Sequence, residues 1–364
     1  MLATTFASLQ GFWFVLLGVL WAGFFVLEGF DYGVGMLAPL VGRDENGRRA
    51  VLGTIAPVWD GNEVWLIVAG GATFAAFPNW YATLFSGFYI VLFLILVGLI
   101  VRGVAIEYRA KREEARWKSI WDLGILAGSA IPAFLFGLVF ANVIHGVPLA
   151  TSGGQTGGFV NLFNVEFSGG VLDLFNGYAI LGGFVSLALF AFHGAVFLTL
   201  RTEGEVRRRA RKSALLLAAP AILLTGSILV WSWADSGSGG GKWAAAVLLA
   251  AVAAGLLVSS LLLVFKDRDG LAFGATALAL VSATAMLFVA LYPRVLVSST
   301  GSDLSLTIAS ASSSHHTLWV MTIVALIFTP IVLVYQGWTY WVFRARLRGD
   351  PLPGSGGVSS RSSG

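Results

Sequence analysis

The sequence predicts an all-α integral membrane protein of about nine membrane-crossing helices. Three observations carry that expectation. Of the 364 residues, 57% are hydrophobic and only 12% are charged, against about 25% charged residues in a typical soluble domain. Nine apolar runs, approximately 12–41, 51–77, 80–106, 119–145, 170–200, 213–233, 243–265, 271–292 and 316–343, reach the length that a bilayer demands. Finally, the Lys and Arg residues collect in alternate loops.

Each run holds enough residues at 1.5 Å rise to cross about 30 Å of hydrocarbon. The first and fifth are long enough to tilt or to extend past the lipid. The loops after spans one, three, five and seven, with the C-terminal tail, hold 20 of the 23 Lys and Arg residues. "GRDENGRR", "YRAKREEARWK" and "RTEGEVRRRARK" are examples. The opposite loops hold only Lys242 and Arg294, and Arg102 falls inside span three. Positive charge stays cytoplasmic, so the N-terminus is expected outside and the C-terminus inside, as nine crossings require. The pI near 9.5 is therefore a topology signal, and nucleic acid is not an expected partner. Segment 146–170 is the one long loop on the outer side and reads as a cap or docking surface. A single polytopic domain is expected over 1–350, with a flexible tail at 351–364. The short likeness of "LFSGFYI" (84–90) to "LFNGYAI" (174–180) does not extend to a repeat. The chain contains no cysteine, which excludes disulfides, thiolate metal sites and iron–sulfur clusters. Its first apolar run lacks the basic start and short length of a cleavable signal.

Acidic residues within this apolar background are the candidate functional groups, because a charge at the bilayer centre costs at least ~2.5–3.5 kcal/mol. "VLEGFDYGVGM" (26–36) places Glu28 and Asp31 three apart, and "IAPVWDGNEVW" (55–65) does the same with Asp60 and Glu63. Residues three apart share a helix face. Asp31 lies ten residues before position 41 and Asp60 ten after position 50, so the hairpin sets them at similar depth. Glu28 and Glu63 mirror each other about one turn further in. Convergence of the two faces would stack four carboxyls, which cannot all ionise together and so suit proton transfer through water. Local satisfaction is the alternative: Asp31 by Tyr32 or a backbone amide, Asp60 by Asn62, Glu63 by Arg102.

Arg102 stands near the basic end of its span and either snorkels to the headgroups or turns inward as counter-ion. Pro57 should kink span two just before Asp60. The glycines at 33–36 indicate close helix packing rather than a nucleotide site. "PNWY" (78–81) reads as a surface turn with interfacial anchors. Among four histidines, at 145, 193, 315 and 316, only His193 lies deep in a span. It is a candidate haem ligand or proton relay, with a bond to a backbone carbonyl as the alternative.

"EGFDYGVGML", "IAPVWDGNEVWLIVAGGATFAAFP", "YATLFSGFYI", "RGVAIEYR", "WDLGILAGSAIPAFLFGLVFANVIHGVP" and "FHGAVFL" resemble subunit II of cytochrome bd-type quinol oxidases. The resemblance covers residues 11–201; beyond them it rests on hydropathy and span number. Some family members carry Asp at the position of Glu28 and Gln at that of Glu63. The resemblance implies two four-helix bundles, about 11–145 and 170–292, with a peripheral helix at about 316–343. It implies a prokaryotic plasma-membrane heterodimer that oxidises quinol outside, reduces dioxygen to water and takes protons from the cytoplasm. Two haems b and one haem d are expected on subunit I, so the isolated chain is not expected to be catalytic. Small accessory membrane subunits are further expected partners, and quinone or lipid is an expected occupant of this subunit. Carried onto this sequence, the motif sets Trp59 and Asp60 towards the partner's haems, with Asp31 and Glu28 nearer a proton entry. Apolar side chains around Trp65 offer dioxygen a dry route, or simply pack. Two rivals share the membrane carboxylates: a proton-coupled secondary transporter, and a partner subunit whose acids are purely structural.

Overall fold

The computed structural model describes residues 8–151, 165–235 and 241–348. Helix α1 (Leu9–Val41) opens where Ser8 caps it, the hydroxyl accepting from the Gly11 amide at 3.1 Å. Its 33 residues make a rod of about 50 Å. Asp44 caps α2 (Glu45–Gly53) in the same way through the Gly47 amide, at 2.8 Å. Pro57 then does more than kink the second span. It disfavours helical backbone at the residue before it, and residues 54–58 form tight turns between α2 and α3 (Trp59–Ala76). The expected run 51–77 is thus broken, with Trp59, Asp60, Asn62 and Glu63 in the first turns of a fresh helix.

Pro78 begins α4 (Pro78–Gly87), since proline is preorganised for a first helical turn. "PNWY" is accordingly the start of a helix and not a surface turn. Helices α5 (Tyr89–Tyr108), α6 (Ala115–His145), α7 (Gly177–Arg201), α8 (Gly204–Asp235), α9 (Gly241–Phe265), α10 (Asp269–Leu291) and α11 (His315–Val342) follow. Among the described residues eight helices are long and apolar enough to cross a membrane, and α3 is not one of them. Its 18 residues span about 27 Å and begin with a polar turn.

Two small hairpin pairings close the end opposite the basic loops. Strand β1 (Leu149–Thr151) pairs antiparallel with β2 (Val165–Phe167), and β3 (Arg294–Leu296) with β4 (Leu306–Thr307). Most of the expected outer loop, residues 152–164, and the expected tail at 351–364 lie outside the described residues.

Helix α1 is the hub, packed against α3, α6, α7 and α10, while α7 to α10 pack on one another in turn. Its approach to α7 depends on two facing glycines. A Cβ at Gly33 would stand 2.1 Å from the Phe190 carbonyl oxygen, and one at Gly194 would stand 2.5 Å from Gly33 backbone. Small residues let helices meet backbone to backbone, the usual means of tight association in lipid. By contrast α11 lies on the outside, with only Leu318 and Thr322 buried. Trp13 holds its first half, the indole N–H reaching Thr322 Oγ1 at 3.0 Å. Beyond it, Leu347 bridges to the α7–α8 loop through Leu347 N to Arg201 O (2.8 Å) and Glu203 N to Leu347 O (3.0 Å).

Candidate functional site

Three helices bring ionisable groups to one place inside the bundle. Helix α1 supplies Glu28 and Asp31, both fully buried. From α5 comes Arg102, also fully buried and the largest such side chain in the protein's described core. Helix α3 adds Asn62, buried, and Glu63, whose side chain is 24% exposed. Arg102 has room there because its neighbour on α6 is Gly128, where a Cβ would stand 2.9 Å from the Arg102 amide nitrogen.

The guanidinium joins two carboxylates: Nη2 lies 2.6 Å from Glu63 Oε1 and in ion-pair contact with Glu28 Oε1. Its carbon sits 4.8 Å from the centroid of the Tyr32 ring, a cation–π contact. Asp31 stands beside this pair and binds an amide instead, its Oδ2 accepting from Asn62 Nδ2 at 2.7 Å. Asn62 Oδ1 in turn accepts from the Tyr340 hydroxyl at 2.7 Å and from Gln336 Nε2 at 3.3 Å, both on α11. Three carboxyls therefore face one guanidinium. Complete ionisation would leave two negative charges without a counter-ion in a medium that solvates them poorly. Several polar atoms of the cluster also have no hydrogen-bond partner among the described residues: Glu28 Oε2, Asp31 Oδ1, the Tyr32 hydroxyl, and Arg102 Nε and Nη1. Buried groups of this kind are ordinarily met by bound water. The arrangement can hold and exchange protons.

The sequence-expected stack of four carboxyls is not complete. Asp60 is exposed on the surface of the chain, and its Oδ1 accepts only the neighbouring Gly61 amide, at 2.8 Å. Asn62 serves Asp31 rather than Asp60, so one of the local pairings weighed from sequence is also replaced. The Glu63–Arg102 pairing is present, and Arg102 turns inward.

The model of the family described as cytochrome bd terminal oxidase subunit II matches residues 9–343. This chain belongs to that family. It is 40% identical to the cytochrome bd ubiquinol oxidase subunit 2 of Bacillus subtilis (strain 168), with 94% of this chain and 97% of that protein covered. It is 36% identical to the cytochrome bd-I ubiquinol oxidase subunit 2 of Escherichia coli (strain K12), with 94% and 96% covered. The fold is that of a chain in the structure of bd oxidase from Geobacillus thermodenitrificans, at a TM-score of 0.69 and 16% identity, over 92% of this chain and 98% of that one. As a cytochrome bd subunit II, the chain is a multi-pass protein of the bacterial plasma membrane and a member of a quinol oxidase complex that contains haem.

Within this cytochrome bd subunit, both ring nitrogens of His193 meet protein partners. Its Nε2 lies 3.0 Å from the Val26 carbonyl oxygen and its Nδ1 2.7 Å from Thr276 Oγ1, with the ring stacked on Phe273. Both nitrogens are committed, and the carbonyl-bonded alternative is the one the fold adopts. The Trp65 ring packs onto α1 where Gly23 lacks a side chain; a Cβ there would meet the ring at 2.2 Å. Its indole N–H donates to Gln336 Oε1 at 2.7 Å. An apolar crevice of about 560 Å³ lies on the neighbouring side of α3, lined by Leu66, Ile67, Gly70, Leu92 and Phe93 but not by Trp65. Trp59 rests on α5 at Gly103.

Sequence reasoning missed Gln336 and Tyr340, and it weighed Asn62 only as a partner for Asp60 and Tyr32 only as a partner for Asp31. Only Gln336 carried a signal, as an amide within the last apolar run.

Proposed function

We propose that this subunit delivers protons to subunit I through the Glu28–Asp31–Glu63–Arg102 cluster. The observation that carries the reading is the set of buried carboxyls outnumbering their one cation, with oxygens left open to water. Protons enter from the basic end of the bundle, which the clustering of Lys and Arg assigns to the cytoplasm; the N-terminus then faces outside. They pass Asp31 and Glu28 through bridging water and leave by the surface of α3 that carries Trp59 and Asp60, against which subunit I docks. There they serve the reduction of dioxygen by quinol. Electrons taken from quinol at the outer face and protons taken from the inner one separate charge without a pump.

The haems of the complex belong to subunit I on this reading, since the one deep histidine here has neither ring nitrogen to give. The crevice beside Leu66 and Gly70, rather than Trp65, is the apolar space that suits dioxygen or the tail of a lipid or quinone. Exposed apolar side chains on α3 and α5, such as Ile67 and Phe93, continue that surface.

Asp31→Asn and Glu28→Gln, each made in the complete oxidase, test the proposal. Assembled haem with turnover lowered roughly tenfold or more, the scale of a lost proton-transfer group, is expected. Turnover at the wild-type rate would refute the path. Loss of haem in step with activity would favour a second reading, in which the Glu28–Arg102–Glu63 ion pair only holds the fold together.

A further inference from the structure

We infer that Tyr340 and Gln336, on the outermost helix, are positioning residues that fix the polarity of Asn62 and thereby the hydrogen bond it gives Asp31. The inference rests on the proton-path reading for its functional consequence and on geometry for its substance.

An amide side chain has a donor end and an acceptor end, and which end faces Asp31 matters. A carboxylate only accepts, so it needs the NH2 end; the oxygen end suits only a protonated carboxyl. Nothing in Asn62 itself decides between the two. The decision comes from a chain of bonds that starts at a group with no choice. An indole N–H can only donate, and that of Trp65 donates to Gln336 Oε1 at 2.7 Å. The Gln336 amide is thereby oriented, leaving its Nε2 to donate to Asn62 Oδ1 at 3.3 Å. The Tyr340 hydroxyl donates to the same oxygen at 2.7 Å. With two donors on its oxygen, Asn62 must turn its nitrogen inward, to Asp31 Oδ2 at 2.7 Å and the Leu27 carbonyl at 3.4 Å. Every link in the order Trp65, Gln336, Asn62, Asp31 follows from the one before.

The placement of these residues on α11 is otherwise hard to account for. That helix buries only Leu318 and Thr322, and a helix surrounded by lipid has no need of a glutamine. Both Gln336 and Tyr340 are only partly exposed and point at the same buried atom, one turn apart.

The test uses the complete two-subunit oxidase with Tyr340→Phe, Gln336→Leu and, as a third variant that leaves α11 intact, Trp65→Phe. Tyr340→Phe and Trp65→Phe each remove one donor, Gln336→Leu removes an acceptor and a donor together, and all three keep most of the packing. The expected result is turnover lowered about three- to tenfold, the range one buried hydrogen bond spans, with haem content and quinol KM unchanged. Infrared difference spectra should show a shift in the carboxyl band that disappears in Asp31→Asn. An unshifted band in all three variants would overturn the inference, as would turnover falling only in proportion to haem. Should Asp31→Asn itself turn over normally, the proton path fails, and the band shift still decides whether α11 orients Asn62.

Discussion

At the residue scale the protein turns on Arg102. It neutralises two carboxylates from different helices and stacks on Tyr32, and of these groups only Glu63 keeps partial exposure. Removing one member of such a buried pair leaves the others uncompensated, at a cost of ~3–5 kcal/mol. Arg102→Met should therefore lower the melting temperature of the purified complex, while adding Glu28→Met and Glu63→Met should restore much of it. On the proton-path reading turnover should stay low in the triple variant, which would separate charge balance in the fold from proton delivery. How much of this was legible in the sequence depends on the residue. The acids announced themselves by cost alone, and the depth of Arg102 did not, because Gly128, the neighbour that makes room for it, lies on another helix. Asp60 shows a second limit. Residues 60 and 63 differ by about 60° around a helix, so spacing sets their common face but not the direction in which it points. Asn62, about 100° from Glu63, took the inward position, and Asp60 was left on the surface.

At the scale of elements, the contact between α1 and α7 decides where the acids sit. Gly33 and Gly194 allow the two backbones to touch, and Glu28 and Asp31 flank that contact on α1. Gly33→Val should displace α1, since its first added carbon would overlap the Phe190 carbonyl. The expected outcome is a sharp loss of assembled oxidase in membranes, read as haem per milligram. Gly226→Ala, at a position where a Cβ meets nothing within 4 Å, should leave that ratio unchanged. Helix existence was legible from apolar run length, as were most boundaries. The division of the second span was not, since Pro57 allows either a kink or a stop and tertiary packing chooses. The start of α4 at Pro78 has the same cause: one proline serves equally in a turn or at the head of a helix.

For the molecule as a whole, the basic end is bound by a network that ties α2, outside the membrane-spanning helices, to the ends of α5 and α6. Arg109 meets Glu45 at 2.9 Å and Asp122 at 2.6 Å, Arg48 meets Asp122 at 2.6 Å, and Lys118 meets Glu45 at 3.1 Å. Partial burial works to raise the Glu45 carboxyl, but hydrogen bonds from Arg109 and Lys118 outweigh it and hold the group below its ordinary value of 4.5. A carboxyl depressed on folding stabilises the fold above its unfolded value, and that contribution is lost as pH falls through the folded one. The stability gap between wild type and Arg109→Met should accordingly be steady at roughly neutral pH and close as the pH drops below 4.5. Thermal melts of the detergent-solubilised complex across that range measure it. Charge segregation of this kind was plain in the sequence, because it is a property of loops. Which cation meets which anion was not, because α2, α5 and α6 meet only in the folded bundle.

The loose outer helix has a consequence for biosynthesis. Gln336 and Tyr340 leave the ribosome after every other part of the cluster, when α1, α3 and α5 are already in the bilayer. Until then neither α11 donor holds the Asn62 oxygen. On the proton-path reading, a nascent chain that stalls before α11 would have every acid in place but no donor on the Asn62 oxygen to fix its bond to Asp31.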